Sequence, residues 1–149
     1  MTIAYASTEV SVERSVEEIQ RLLVKHDATE VRIRYEQGRP VAVAFLIETE
    51  FGPRAFALPA NVERVWPRLI KENRQGKLAP RFTTKEQAAR VAWRIVRHWL
   101  KAQIAVIESG LISMDELLLP YLVDPRTGQT LYQIMAGNQL ALPAAGESR

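Results

Sequence analysis

The sequence predicts one α+β domain, in which an antiparallel meander sheet of three or slightly more strands packs against a long amphipathic helix and several shorter helices. Three observations support this. Three short segments between positions 31 and 58 have strand-like patterns and are joined by tight turns. The stretch 85–109 has a helical apolar period with start and stop residues at its two ends. At 149 residues, the chain is long enough to bury one core.

The N-terminal part is predicted to end in a helix. Residues 1–14 alternate in places between apolar and polar side chains, which suits short strands as well as a loop. A helix is predicted over 15–26 because Ser15 and Glu18 have the spacing of a capping box. The apolar residues that follow recur at helical spacing, so one face of this helix is expected to be buried.

The sheet is predicted from three strands, over 31–35, 41–47 and 54–58. The first alternates between apolar and charged residues, as a half-buried strand does. The second is continuously apolar and is therefore expected to be central, with both faces covered. Turns at 37–40 and 51–53 are short, which favours antiparallel neighbours.

Four further helices follow in the prediction. Asn61 is a suitable N-cap for a helix over 62–74, although Pro67 lies inside it. The stretch 74–82 contains Gly and Pro and is interpreted as a mobile basic loop. The longest helix is predicted over 85–109, after overlapping capping boxes and before Gly110.

Short helices are expected at the C-terminal end of the domain, over 113–119 and 130–136. The single domain is predicted to span 1–142, and 143–149 is interpreted as a flexible tail.

Composition narrows the class of protein. The chain has no Cys, no apolar run of about 18 residues and no basic segment followed by an apolar one at its start. These features predict a cytoplasmic protein without a membrane partner.

Charge is distributed unevenly along the chain. The window 64–101 holds eleven Lys or Arg and two acidic residues, a net charge of +9. The remainder holds nine basic and fifteen acidic residues, a net charge of −6. A basic segment of this kind attracts polyanions, chiefly through counterion release.

The long helix carries a predicted cationic stripe. At 100° per residue, its members fall within a sector of about 60°: Arg90, Arg94, Arg97 and Lys101. Trp93 lies at the border of this sector and is expected to stack on a base. The stripe is interpreted as a ridge that follows phosphates, and the alternative is an ordinary solvated helix face.

Two further groups extend the predicted site. Basic residues before and within the 74–82 loop are expected to contact phosphates: Arg68, Lys71, Arg74, Lys77 and Arg81. Trp66 and Phe82, interleaved with them, are expected either to stack on bases or to anchor the core. Arg32 and Arg34 share one face of the first strand and are candidate contacts of an open sheet face.

No catalytic centre is recognisable. The chain lacks the phosphate-binding GxxxxGK[ST] and dinucleotide-binding GxGxxG motifs. His26 and His98 are too far apart in sequence to suggest a metal site, and the basic window has too few carboxylates for a metal-dependent nuclease. The sequence therefore predicts a protein that is not an enzyme and has no metal or other cofactor.

A set of residues spread over the chain carries a resemblance to a known family: Leu58, Pro59, Ala60, Asn61, Thr84, Glu86, Ala92, Trp93, Arg94, Trp99, Ala102, Gln103, Leu119, Pro120 and Tyr121. With these residues, from about position 13 to 143, the chain resembles a family of small, mostly uncharacterised phage and prophage proteins from replication-type gene neighbourhoods. The Ala-Trp-Arg…Trp…Ala-Gln pattern on the long helix is its most specific part. The resemblance implies a single-stranded DNA-binding protein without an OB-fold, and it identifies no site residue.

Taken together, these patterns predict sequence-tolerant binding of single-stranded DNA by a phage replication or recombination accessory protein. The alternative is a protein-interaction module that docks on an acidic partner surface. The sequence leaves several questions open. It does not decide whether the ligand is RNA or a duplex, whether the chain self-associates or whether replication proteins are partners. It also does not decide whether the helix stripe, the loop or the sheet face binds.

Overall fold

The computed structural model describes residues 2–138 and confirms the α+β fold. Its helices and strands, in chain order, are α1 (Val12–Lys25), β1 (Glu30–Glu36), β2 (Arg39–Thr49), β3 (Gly52–Pro59), α2 (Val62–Arg74), α3 (Lys85–Glu108), α4 (Met114–Leu117) and α5 (Leu131–Gly137). Short 3₁₀ turns at Pro80–Phe82 and Leu119–Tyr121 complete the described part of the chain. The predicted tail at 143–149 lies outside the described residues.

The sheet is an antiparallel meander in the order β1-β2-β3, as the short turns predicted. The prediction that β2 is the central strand is confirmed. Phe45 pairs with Val31 on one side and with Phe56 on the other, so apolar side chains of all three strands share one face. This face forms the main core.

The other face of β2 is less covered than predicted. Val43, Phe45 and Ile47 are buried, whereas Ala42 and Ala44, which point to the opposite face, are only half-buried. Leu46, also on this second face, is half-buried as well and lines a pocket with Leu122 and Ile134 of the C-terminal part. The expectation that both faces of β2 are fully covered was therefore wrong.

Helix α3 lies at the centre of the helical part. Trp93 and Leu100 belong to the main core with the sheet. Val91, on another face of α3, packs with Leu69 of α2 in a second core. Helix α1 packs along the flank of α3. Because three neighbours surround it, α3 has little surface left for solvent.

Local capping explains most helix ends. The Thr84 hydroxyl accepts a hydrogen bond from the Gln87 amide at 3.0 Å, and α3 ends before Gly110, whose φ is +77°. Thr130 and Gln133 form a full capping box at the start of α5. The predicted bounds of these helices are confirmed to within one or two residues.

The cap of α1 is a correction. The helix begins at Val12 rather than at 15, and Ser11, not Ser15, is its N-cap, with a hydroxyl that accepts from the Arg14 amide at 3.1 Å. Asn61 occupies the N-cap position of α2 but makes no capping hydrogen bond with its side chain.

The segment before α1 forms no strand. It is a turn that contacts α2 and α3. The Ile3 amide donates a hydrogen bond to Glu72 Oε1 of α2 at 2.8 Å. Gln87 Nε2 of α3 donates to the Ala6 and Thr8 carbonyls at 2.9 and 3.1 Å. Both Glu72 and Gln87 are buried, so this segment closes over the second core.

The stretch after α2 is a compact connection rather than the open, mobile loop that its Gly and Pro suggested. Leu78 is buried in the second core, and its carbonyl accepts a hydrogen bond from Asn73 Nδ2 at 2.8 Å. Gly76 takes a φ of +72°, which lets the chain reverse directly after α2.

Candidate nucleic-acid interface

Arg94, the centre of the predicted α3 stripe, lies inside the protein. Only 8% of the residue is exposed. Its Nε donates to Ser15 Oγ at 3.3 Å, and its guanidinium forms an ion pair with Glu18. Arg97 approaches the same carboxylate, with Nε 3.8 Å from Glu18 Oε2. The middle of the stripe, Arg94 and Arg97, therefore faces α1 and holds the two helices together.

This geometry gives Ser15 and Glu18 a role other than capping. Their i,i+3 spacing places both on one face of α1. That face packs against α3, where the Ser15 hydroxyl and the Glu18 carboxylate accept hydrogen bonds from the Arg94 guanidinium. A buried guanidinium needs partners of this kind, because an unpaired charge in the interior is strongly destabilising.

The remaining members of the stripe do not form a continuous surface. Arg90 is half-buried and donates through Nε to Gln87 Oε1 at 2.8 Å, whereas Lys101 is exposed. Trp93 is fully buried and donates through Nε1 to the Pro40 carbonyl at 3.1 Å. No face of its ring is accessible to a base, so the structure removes Trp93 from the candidate site.

A second row of cations remains on the surface. We call it the α2 ridge, and it consists of Arg64, Arg68, Lys71, Arg74, Lys77 and Arg81, all exposed. Five of these residues were predicted to contact phosphate. Arg64 is an addition, and its i,i+4 spacing from Arg68 was the sequence feature that indicated it.

The α2 ridge contains no exposed acidic residue. Glu72 is the only acid between positions 64 and 81, and it is 2% exposed. One of its oxygens accepts from the Ile3 amide and lies 3.5 Å from Arg68 Nε. Within residues 2–138, the other five ridge cations form no ion pair. Their charge therefore faces solvent without local compensation.

Three of the ridge cations form a row along α2. Arg64, Arg68 and Lys71 fall within a sector of about 60°, on the side of the helix away from Leu69 and α3. From Arg64 to Arg74, the ridge is about 15 Å long, at 1.5 Å of rise per residue. Lys77 and Arg81 follow in the compact connection after the helix, and both are exposed.

The aromatic rings beside the ridge already have partners. Trp66 is half-buried and donates through Nε1 to the Thr83 carbonyl at 2.9 Å, and Lys85 Nζ lies 5.7 Å from its ring centroid. The Arg81 guanidinium carbon lies 4.7 Å from the centroid of Phe82. Both rings also pack against the second core, which favours the anchoring role over base stacking.

The sheet does not join the ridge. Arg32 and Arg34 are exposed on β1, but each lies near an acidic residue of the same strand, 3.5 Å from Glu30 and 3.7 Å from Glu36 respectively. The face of the sheet away from the helices carries small residues such as Ala44 and Ala57 on β2 and β3. Neither feature forms a stacking platform.

A groove of 820 Å³ opens where α1, α2 and α3 begin, beside the β1–β2 hairpin. Its charges are paired across it: Arg39 lies 3.1 Å from Glu86, and Lys85 lies 2.7 Å from Glu63. Backbone hydrogen bonding at the start of α3, assisted by Arg39, lowers the pKa of Glu86. Because these charges neutralise one another, the groove attracts a polyanion less than the ridge does.

His98 lies on α3 between the buried stripe and the N-terminal segment. Its ring stacks on that of Tyr5 with centroids 4.5 Å apart. Burial lowers the pKa of His98, and the neighbouring Arg97 and Arg94 charges lower it further. The imidazole therefore takes up a proton less readily than a free histidine does.

Two features were not found in the described part of the chain, a cluster of metal-binding side chains and a membrane-spanning helix. No group of three or more His, Asp or Glu side chains within 2–138 is placed to hold a metal ion. No helix in the same range combines the length and apolar character needed to cross a bilayer.

Comparison with known proteins does not add a family. No protein-family model, no curated protein and no solved structure matches this chain.

Proposed function

We propose that this chain binds nucleic acid through the phosphate backbone, without sequence preference, by means of the α2 ridge. One observation carries the proposal: six exposed cations lie between positions 64 and 81 without an exposed acid among them. Such a row gains affinity for a polyphosphate by releasing the counterions condensed on it.

The composition of the ridge supports phosphate as the bound group. Four of its six members are arginines, whose planar guanidinium donates two parallel hydrogen bonds to a phosphate. Like charges spaced i,i+4 and i,i+3 on α2 destabilise the free helix by a few tenths of a kcal/mol per pair. A polyanion on the ridge offsets this repulsion.

The predicted role in phage replication or recombination stays a prediction that rests on the resemblance. The exposed cations support the binding chemistry alone. Of the surfaces that the sequence left open, we propose α2 and the connection after it as the place of binding.

The test uses a labelled partial duplex with a single-stranded overhang, so that both forms of DNA are present in one probe. Fluorescence anisotropy is recorded at increasing salt. If all six cations neutralise phosphates, log K should fall with log salt with a slope of about −4 to −5. The variant Lys71→Glu/Arg74→Glu should weaken binding by about tenfold or more at about 100 mM salt, because it reverses two charges at the centre of the ridge.

The matched control is Arg32→Glu/Arg34→Glu, which makes the same change in net charge on the sheet. It should retain most of the affinity. Equal losses in the two variants would show that only net charge matters, and absence of binding by the unaltered protein at low salt would reject the proposal. In that last case the ridge is a docking surface for an acidic protein, and a partner should co-purify with the unaltered chain but not with the Lys71→Glu/Arg74→Glu variant.

A further inference from the structure

Resting on the proposed function, we propose that the α2 ridge binds the backbone of a double-stranded nucleic acid in preference to a single strand. Three features of the ridge favour a duplex over a single strand: the neighbouring aromatic rings are not free, the ridge is convex, and its cations are held on a rigid helix.

The first feature is the lack of a free ring. Proteins that bind single strands without sequence preference stack successive bases on aromatic side chains, each worth about 1–3 kcal/mol. Here Trp93 is fully buried, and Trp66 and Phe82 are packed into the second core with a cation against each ring. The large exposed aromatic residues of the described chain lie on other elements: Tyr5, Tyr35, Phe51 and Tyr132.

The second feature is shape. Single-strand sites are typically grooves that enclose the backbone. The α2 ridge is the outer side of a helix whose inner side packs on α3 through Leu69. A convex row of cations needs a ligand whose phosphates already face outward, and a duplex has this arrangement.

The third feature is rigidity. Arg64, Arg68, Lys71 and Arg74 are spaced by about 4.5–6 Å along one helix axis. A duplex presents one negative charge per about 1.7 Å of its length on a stiff frame, so little conformational freedom is lost on binding. A single strand must first be straightened, and it releases fewer counterions per phosphate into solution on binding.

The α2 ridge recognises the charge of the phosphates and has no element directed at base edges. Duplex DNA and duplex RNA both present this phosphate charge, so both are candidate ligands. The experiment therefore compares three unlabelled competitors of equal length: duplex DNA, duplex RNA and single-stranded DNA. Each displaces the labelled partial duplex from the full-length protein, and anisotropy gives the competitor affinities.

We expect both duplexes to compete about tenfold better than the single strand, and to differ from each other by less than about threefold. A single strand that competes as well as the duplexes would overturn the inference and leave the proposed function intact. A difference of more than about tenfold between DNA and RNA duplexes would overturn recognition by charge alone. If none competes and the probe itself does not bind, the proposed function fails.

The variant Phe82→Leu tests the aromatic argument separately, because it removes the ring while keeping an apolar side chain in the second core. Duplex affinity should stay within about twofold, and the melting temperature should confirm that the variant is folded. A loss of single-strand affinity of about tenfold or more, the size expected for one stacked base, would show that Phe82 stacks on bases and would overturn the inference.

Discussion

Helices α2 and α3 carry basic rows of nearly the same spacing, and the two rows lie in opposite environments. On α3, Arg94 is 8% exposed and binds Glu18 and Ser15 of α1. On α2, Lys71 and Arg74 are exposed and form no ion pair within the described residues. One row stabilises the fold, and the other is available to a ligand.

The difference arises from what packs beside each helix. Helix α1 brings a carboxylate and a hydroxyl to the flank of α3, 76 and 79 residues away in sequence from Arg94. The only acid within the α2 ridge, Glu72, points inward and binds the N-terminal segment. The period of charges along a helix thus identifies a polar face, but the neighbouring elements decide whether solvent reaches it.

The largest expected effect is the loss of fold stability in Arg94→Leu. Removing the guanidinium leaves Ser15 without its partner and Glu18 with only the more distant Arg97, and we expect a loss of about 2–4 kcal/mol in the free energy of unfolding. Urea denaturation measures it. Adding Glu18→Leu should restore part of the loss. A stable Arg94→Leu protein that no longer binds nucleic acid would instead place the interface on α3.

The next effect concerns binding. In Lys77→Gln, the slope of log K against log salt should become shallower by about one unit, while stability changes by less than about 0.5 kcal/mol. Lys101→Gln is the matched control, because Lys101 is the exposed cation of the α3 row. Anisotropy over a salt series compares the two. An equal change in both variants would extend the interface from α2 to α3.

A smaller effect is expected with pH. Because the pKa of His98 is lowered in the fold, the unfolded chain binds its proton more readily. This contribution to stability is fully present above the ordinary histidine pKa of about 6.5 and is lost as pH falls through that range. Replacing His98 by Gln should therefore flatten the decline of the melting temperature on acidification. An unchanged profile would show that other groups cause the decline.

The smallest effect is expected in Arg32→Gln/Arg34→Gln. Each arginine is exposed and already lies near a glutamate, and such surface pairs contribute about 0–1 kcal/mol. Stability should change by less than about 0.5 kcal/mol, and nucleic-acid affinity by less than about twofold. A tenfold loss of affinity would bring the sheet into the interface and reopen the expectation that it contacts the ligand.

The elements that could be predicted from the sequence depend on local chemistry. The three strands and their order follow from alternation and short turns, and α3 follows from its cap at Thr84 and its end before Gly110. The cation positions of α2 other than Arg64 were also predicted, because acids are scarce in that part of the sequence.

The errors depend on contacts between distant residues. Ser15 has a capping pattern, but Ser11 lies four residues earlier and extends the helix, which leaves Ser15 to bind Arg94. Trp93 lies at the border of the basic face, and only the packing of α3 against the sheet shows that it is buried. No pattern within a single helix contains this information.

The hydrogen bonds of the N-terminal segment have a consequence for synthesis of the protein on the ribosome. The bond partners of Ile3, Ala6 and Ser15 are Glu72, Gln87 and Arg94, which lie 69, 81 and 79 residues later in the chain. At about 5–20 residues per second, this segment waits on the order of 4–15 s for these partners to be made. During that interval α1 has no α3 against which to pack its buried face, so the segment and α1 reach their final contacts only after α3 has been synthesised.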